Sequence, residues 1–551
     1  MWLKNQRCEG VVQAAWEEGL SLRADYTLGK CMEICRTRLE GWNKTEFSHV
    51  SRKISELQKR LEWIELQPTT PNIAQLMRNT RIELNGWLEK EDAMWCQRSK
   101  LTWFQEGDRN TRFFHTKASA RYKKNLIEGL MDANGVWQEE EQIIEEIVVD
   151  YYKNLFTTSS PTNFNEILEA EETKVSPSMN HMLNRDFTAR EVEQALKQMH
   201  PQKAPGPNDM PPLFFQHFWS ISGEEVTKTV LDFLNLGIFP PNFNETHIVL
   251  IPKVNNPKIV TDFRPISLCN VVYKIASKAI ANRLKKILAT IISDMQSAFV
   301  NGRLIIDNVI VAFEVMHHIS QKKEGRVGEM ALKLDISKAY DRVEWECLDK
   351  IMEKLGFDGK WRGLIMKCVT TITYAVRING SPRGHIVPTR GIRQGDPLSP
   401  YLFLLCAEGL SAFIKHSVAA GNLEGIAICR GGPKLSHLFF TDDSLIFCKA
   451  SLSKCNTLQR IFHIYEQASG QQLNRAKTSL FFSKNTPSEI QEELKTKFGA
   501  QVIKQHERYL GLPSLAGRNK QSTFKSIKEN SKRNWWGGKR RCYPKLERKS
   551  L

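Results

Sequence analysis

The sequence predicts a mixed α/β chain of the α+β kind, led by a helical N-terminal segment. Three observations predict it. Apolar runs of strand length, Ile248–Ile251 and Met330–Asp335, lie among stretches with helical spacing, Ile275–Ile292 and Trp345–Leu355. Residues 1–120 are polar, dotted with Trp and helical in pattern. The chain is 41% apolar, enough to bury real cores and to exclude wholesale disorder.

The N-terminal segment runs to about residue 120. Val50, Ile54, Leu57, Leu61 and Ile64 repeat at helical spacing until Pro68-Thr-Thr-Pro71 breaks the pattern, which reads as a helical hairpin or coiled-coil spacer. Leu101-Thr-Trp-Phe-Gln-Glu-Gly-Asp-Arg-Asn-Thr-Arg-Phe-Phe-His115 mixes aromatic and basic residues. Two readings stay open for it, a nucleic-acid-stacking segment or a packed surface helix. A connector follows over 121–185, acidic and loop-rich from 160 onward. A compact α/β pattern then runs from Phe187 to about Phe482. No run of eighteen apolar residues is present, so no membrane span is expected. Cysteines lack paired metal spacing, and free thiols are expected, Cys31 and Cys35 included.

The formal net charge is +17, from 78 basic and 61 acidic residues, which favours a polyanionic partner. Much of it is local. Arg518 to Lys549 holds twelve Lys/Arg against Glu529 and Glu547, a net of +10.

Chemistry concentrates at three places. His437-Leu-Phe-Phe-Thr-Asp442-Asp443-Ser-Leu-Ile-Phe447 is a hairpin pattern with two adjacent acids at its tip. Paired like charges beside apolar runs suit a bound cation, whereas a solvated turn is the plainer reading. Asp335 ends an apolar strand, with a helix expected soon after Ser337; it is either a ligand projected into a cleft or a helix N-cap. Gly391-Ile-Arg-Gln-Gly-Asp-Pro-Leu-Ser-Pro400 precedes an apolar helix from Tyr401 to Phe413. There Gly395 permits close backbone approach and Gln394 offers both donor and acceptor.

These places, in this order, resemble the reverse transcriptase of a non-LTR (LINE-type) retrotransposon, of the kind abundant in plants. The likeness covers roughly residues 100–515. It includes Asp-Phe-Arg-Pro-Ile-Ser-Leu (262–268), Gln-Ser-Ala-Phe-Val-Asn-Gly-Arg (296–303), Gly-Gln-Gln-Leu-Asn-Arg-Ala-Lys-Thr (470–478) and Tyr-Leu-Gly-Leu-Pro (509–513). The resemblance implies a right-hand polymerase, with fingers and palm over 186–490 and a primer grip opening the thumb over 491–517. It implies an RNA template, a DNA primer, dNTPs and two Mg²⁺ ions, for which Mn²⁺ is a substitute. Asp335, the Ile336 carbonyl, Asp442 and Asp443 would hold the metals. Lys477 would be the general acid, and Tyr340 a gate against a 2′-hydroxyl, with a core tyrosine the alternative. Gln394 and Gly395 would floor the nucleotide site. Lys253, Arg264 and Arg303 would meet phosphates.

Two departures stand out. Thr441 occupies a position that is usually Ala, and Pro207-Asn208-Asp209 one that is usually Pro-Asp-Gly. The start resembles the stretch after an endonuclease domain, and residues 518–551 read as a disordered or frameshifted tail, so truncation at both ends is expected. An inactive relic that at most binds nucleic acid is the second reading of function. The family's life cycle implies the nucleus.

Overall fold

The computed structural model describes residues 2–5, 7–22, 26–47, 49–68, 70–99, 111–502, 508–510, 512–513 and 528–529. Helix Arg7–Ser21 buries Cys8, Val12, Ala15, Trp16 and Gly19, a spacing of three and four that makes one face. That face meets helix Thr27–Phe47. A Cβ on Gly19 would lie 2.6 Å from Cys31 Cα, so the helices approach only because glycine stands there. Cys31 and Cys35 point their thiols at the carbonyls of Trp16 and Val12, at 3.7 and 3.8 Å. They pack a helix interface, and every cysteine among the described residues is free. Helices Val50–Glu65 and Pro71–Ser99 form the expected hairpin, clamped by Val50, Ile54, Leu84 and Trp87.

Two sheets organise the rest. The first has four strands in the order Phe263–Cys269, Glu245–Pro252, Thr373–Ile378 and Ser381–Ile386. Helix Glu141–Leu155 lays Ile144, Val148 and Tyr152 against Ile248, Leu250, Tyr374 and Val376 of this sheet. The second has five strands in the order His437–Phe440, Asp443–Ala450, Gly328–Leu334, Ser479–Phe482 and Gln501–Val502. All its pairs are antiparallel except the last.

Both faces of the central strand Gly328–Leu334 are covered, which explains its nearly unbroken apolar run. Met330, Leu332 and Leu334 face the large helical core, while Ala331 faces helix Ile305–Gln321 through Val315 and Ile319. Alternation of side chains along a strand does this directly. Helix Ser399–Ala419 lies in the large core and is apolar nearly all round. By length and composition it could cross a membrane, a possibility that the expectation of no apolar span overlooked; here it is mostly buried in protein.

Three local expectations are corrected. Residues 160–185 contain helices Asn165–Ala170 and Pro177–Asn184, the second capped by the Ser176 hydroxyl accepting from Met179 N at 3.2 Å. The Ser-Pro that suggested a loop is an N-cap followed by a first-turn proline. The single helix expected over Ile275–Ile292 is two, Val271–Leu284 and Leu288–Ile291. No helix follows Ser337 at once. Lys338 adopts φ +53°, and the next helix is Trp345–Leu355.

Candidate active site

The sheet register brings the three acids together. Strand Asp443–Ala450 pairs antiparallel with Gly328–Leu334, with Ser444 opposite Leu334. One further step in that register sets Asp443 across from Asp335. Phe440 pairs with Asp443, so Thr441 and Asp442 form the two-residue hairpin turn. Thr441 has φ +54°, a left-handed conformation that two-residue turns normally reserve for Gly or Asn. Asp442 is exposed at the tip and Asp443 half-buried. Burial raises the Asp443 carboxyl above its usual range, the charges of Asp442 and Asp335 add to this, and Lys333 opposes it.

Asp335 is held by the segment that follows strand Gln472–Leu473. That strand pairs with Ile336–Ser337, with Leu473 opposite Ile336. Asn474 then donates its backbone N–H to the Asp335 carbonyl at 2.8 Å and its Nδ2 to Asp335 Oδ2 at 3.2 Å. Lys477, on the 3₁₀ turn Arg475–Lys477, brings Nζ within 3.5 Å of Asp335 Oδ2 and is otherwise well exposed. Asp335 is thus not a helix N-cap, because the chain turns away at Lys338 instead of entering a helix.

The loop Gly391–Pro400 closes against the residues after Asp335. Ile392 N donates to Tyr340 O at 2.9 Å, Gly391 N to Val343 O at 2.8 Å, and Trp345 Nε1 to Gly391 O at 2.8 Å. Gly391 has φ +95°, and a Cβ there would meet Asp341 O at 2.7 Å. Gln394 donates Nε2 to Asp341 Oδ1 at 2.9 Å, and its backbone carbonyl accepts from Ser267 N at 2.8 Å. Gly395, at φ +109°, lies where a Cβ would come within 3.3 Å of Ser267 O. The loop is anchored from below by Arg393 and Asp396, a buried ion pair at 2.8 Å, with the Arg393 guanidinium over the Tyr273 ring at 4.0 Å.

Tyr340 stacks on Phe403 with ring centroids 5.0 Å apart and planes 11° from parallel. Its hydroxyl is pushed up by burial and by the charge of Asp442. It is therefore both packed and beside the acids. Lys253 donates Nζ to Thr261 O at 3.0 Å, and its ammonium is held down by burial and then by Arg264 and Lys477. Arg264 is exposed on the neighbouring strand. These three cations share one neighbourhood beside the acids.

Arg303 does not join them, and its reading as a phosphate contact is corrected. Its guanidinium donates to the carbonyls of Ala289, Ile292, Ser293 and Gln296 and to Asp294 Oδ1. Both terminal nitrogens are engaged by residues 289–296. The hairpin of Arg508–Tyr509 with Leu512–Pro513 is present. Tyr509 donates its hydroxyl to Asn308 Oδ1 at 2.8 Å, and Asn308 Nδ2 donates to Phe439 O at 3.0 Å, close to the Thr441–Asp442 turn. Residues 101–110 of the aromatic-basic segment and all but 528–529 of the basic tail lie outside the described residues. Asn474, Asp341 and Asn308 carried no signal in the sequence, because their roles arise from contacts between distant segments; Asp396 acts within its own loop, on Arg393.

Among the described residues, no three His, Cys, Asp or Glu side chains converge tightly enough to hold a metal alone. The donors present are hard oxygens contributed by two chain segments. Such a set fits Mg²⁺, which is usually bound by one or two carboxylates with substrate phosphates and water completing its shell.

Acids meeting at the end of a strand and a hairpin turn, with a Gln-Gly loop and a lysine beside them, define a nucleotidyl-transfer class of site. Residues 251–514 match the family model described as reverse transcriptase (RNA-dependent DNA polymerase). An uncharacterised protein of transposon TX1 from Xenopus laevis is 27% identical over 455 residues, 82% of this chain and 33% of that protein. The Pol polyprotein from the type-1 retrotransposable element R2 of Popillia japonica is 25% identical over 301 residues, 53% of this chain and 39% of that protein. An uncharacterised mitochondrial protein of Arabidopsis thaliana is 51% identical over 67 residues, 12% of this chain and 55% of that protein. Residues 251–514 thus resemble a reverse transcriptase domain, and several of the relatives are proteins of retrotransposable elements. The chain spans about a third of the length of the TX1 and R2 proteins.

Proposed function

We propose that this chain is an RNA-directed DNA polymerase that extends a DNA primer on an RNA template, using dNTPs. The observation that carries the reading is the register that sets Asp443 across from Asp335, with Asp442 on the adjoining turn. In this reading the five-stranded sheet is the palm and the four-stranded sheet belongs to the fingers. The hairpin at Tyr509 opens the thumb.

Asp335, the Ile336 carbonyl, Asp442 and Asp443 would hold two Mg²⁺ ions, which when bound lower the pKa of the primer 3′-hydroxyl and neutralise the triphosphate. The protein's own residues do the remainder. Lys477 would give a proton to the departing pyrophosphate, a role supported by its 3.5 Å distance from Asp335. Lys253 and Arg264 offer charge to the triphosphate. Tyr340, braced by Phe403, closes the sugar side against a 2′-hydroxyl. Gly395 keeps the floor low beside strand Phe263–Cys269. The nucleus, where a chromosomal end could serve as primer, is the proposed location.

Primer extension on an annealed RNA template tests the activity. Labelled dNTP incorporation supports it; none, beside an active relative under the same conditions, supports instead a nucleic-acid-binding relic.

A further inference from the structure

Asp341 has no part in the mechanism above, yet it is a deeply buried acid beside the site, 2% exposed. Its Oδ1 accepts the Gln394 amide, and its Oδ2 is buried without a hydrogen-bond partner among the described residues. Burying a carboxylate in this way is costly, and Lys338, Lys253 and Arg342 only partly offset it through charge. A plain packing position would be met more cheaply by an apolar residue.

The consequence lies in the Gln394 amide. A side-chain amide has a donor end and an acceptor end of nearly the same shape, and an unconstrained one turns either way. A carboxylate is acceptor-only when ionised, so it admits the NH₂ end alone. Gln394 Oε1, which accepts no hydrogen bond among the described residues, must then face away from Asp341.

We propose that Asp341 is a positioning residue. It fixes the Gln394 amide so that an oxygen acceptor, not a donor, is presented to the incoming nucleotide. The loop contacts make the pairing rigid: Gly391 abuts Asp341 O, and Ile392 N is bonded to Tyr340 O. The proposal rests on the polymerase reading, which places the nucleotide over Gln394.

The test is steady-state primer extension by the full chain with dNTP titration, beside nucleotide binding to the protein–primer–template complex with Ca²⁺ replacing Mg²⁺. Asp341→Asn frees the amide to invert. It is expected to raise the dNTP KM roughly fivefold, the size of one hydrogen bond, with kcat within about twofold. Gln394→Ala is expected to raise KM at least as much, and adding Asp341→Asn to it should cost nothing further. Gln394→Glu sets two carboxylates together and should weaken binding. Combining it with Asp341→Asn restores a donor–acceptor pair with an outward oxygen, and should recover most of the loss. Thermal melts identify any variant that is merely unfolded, and the Asn/Glu exchange then decides. An unchanged KM in Asp341→Asn, multiplying losses in the Gln394→Ala double variant, or no recovery in the exchange would overturn the proposal. If the unaltered chain neither extends primer nor binds dNTP, the polymerase reading falls first and this assignment with it.

Discussion

Asn474 grips Asp335 at two points, backbone N–H to carbonyl at 2.8 Å and Nδ2 to Oδ2 at 3.2 Å. The side-chain bond takes up one lone pair of the acid and fixes its rotamer, while the backbone bond fixes the strand end that carries it. Asn474→Ala keeps the backbone bond but removes the side-chain bond, together with the Oδ1 that accepts from Lys477 N at 3.3 Å. A hydrogen bond to a charged group is worth about 1.5–3 kcal/mol, so a fall in kcat of roughly 10- to 100-fold is expected, with little change in melting temperature. Single-turnover primer extension reads it. A kcat within twofold of the parent would remove Asn474 from the account.

Thr441 stores strain at the hairpin turn that carries Asp442. A β-branched residue at φ +54° costs on the order of 1–3 kcal/mol, and Asn or Gly costs less there. Thr441→Asn is expected to raise stability by roughly 1 kcal/mol in denaturant unfolding. Thr441→Val, which keeps the branch, should not.

Asp396 and Arg393 tether the Gln394 loop through a buried pair, both side chains 2% exposed or less. Asp396→Ala leaves the Arg393 charge uncompensated, and a loss of about 3–5 kcal/mol is expected. Equilibrium unfolding measures it. A loss below about 1 kcal/mol would mean that the Tyr273 ring and the Cys368 carbonyl satisfy Arg393 by themselves.

Asp341 gives the fold a pH dependence. Burial pushes its carboxyl up to about 6 from an ordinary 3.8, against the charges of Lys338, Lys253 and Arg342 and the Gln394 hydrogen bond. The native state therefore holds this proton more tightly than the unfolded chain does. Its contribution is fully present below about pH 4 and is lost as pH rises through about 6, a change on the order of 2–3 kcal/mol. Asp341→Asn should flatten that part of the profile and melt higher than the parent at pH 7–8. Melting curves from pH 4 to 8 decide it, and parallel profiles would contradict the assignment.

The strands and the three acids were legible because their signals are local. Met330–Asp335 is an apolar run, interrupted only by Lys333, that ends in an acid, and Asp442-Asp443 sits between two apolar runs. What failed to show depends on where donors end up. Arg303 sits in a motif rich in charge and looks free, yet its guanidinium is used on carbonyls of its own loop. Asn474 meets Asp335 across 139 residues, a distance no spacing pattern spans. The helix expected after Ser337 fails because Lys338 is left-handed, which residue type alone does not reveal. The helix Pro177–Asn184 was hidden because its cap, Ser176-Pro177, has the composition of a loop.

The most direct test of the central claim is primer extension by the unaltered chain and by Asp442→Asn, on an RNA template with a DNA primer, dNTPs and Mg²⁺. The account predicts templated incorporation that stops on chelation of the metal and is abolished by Asp442→Asn, while the variant still folds and still binds the annealed primer–template. Incorporation by Asp442→Asn at the parent's rate would contradict the assignment of this turn as the catalytic centre.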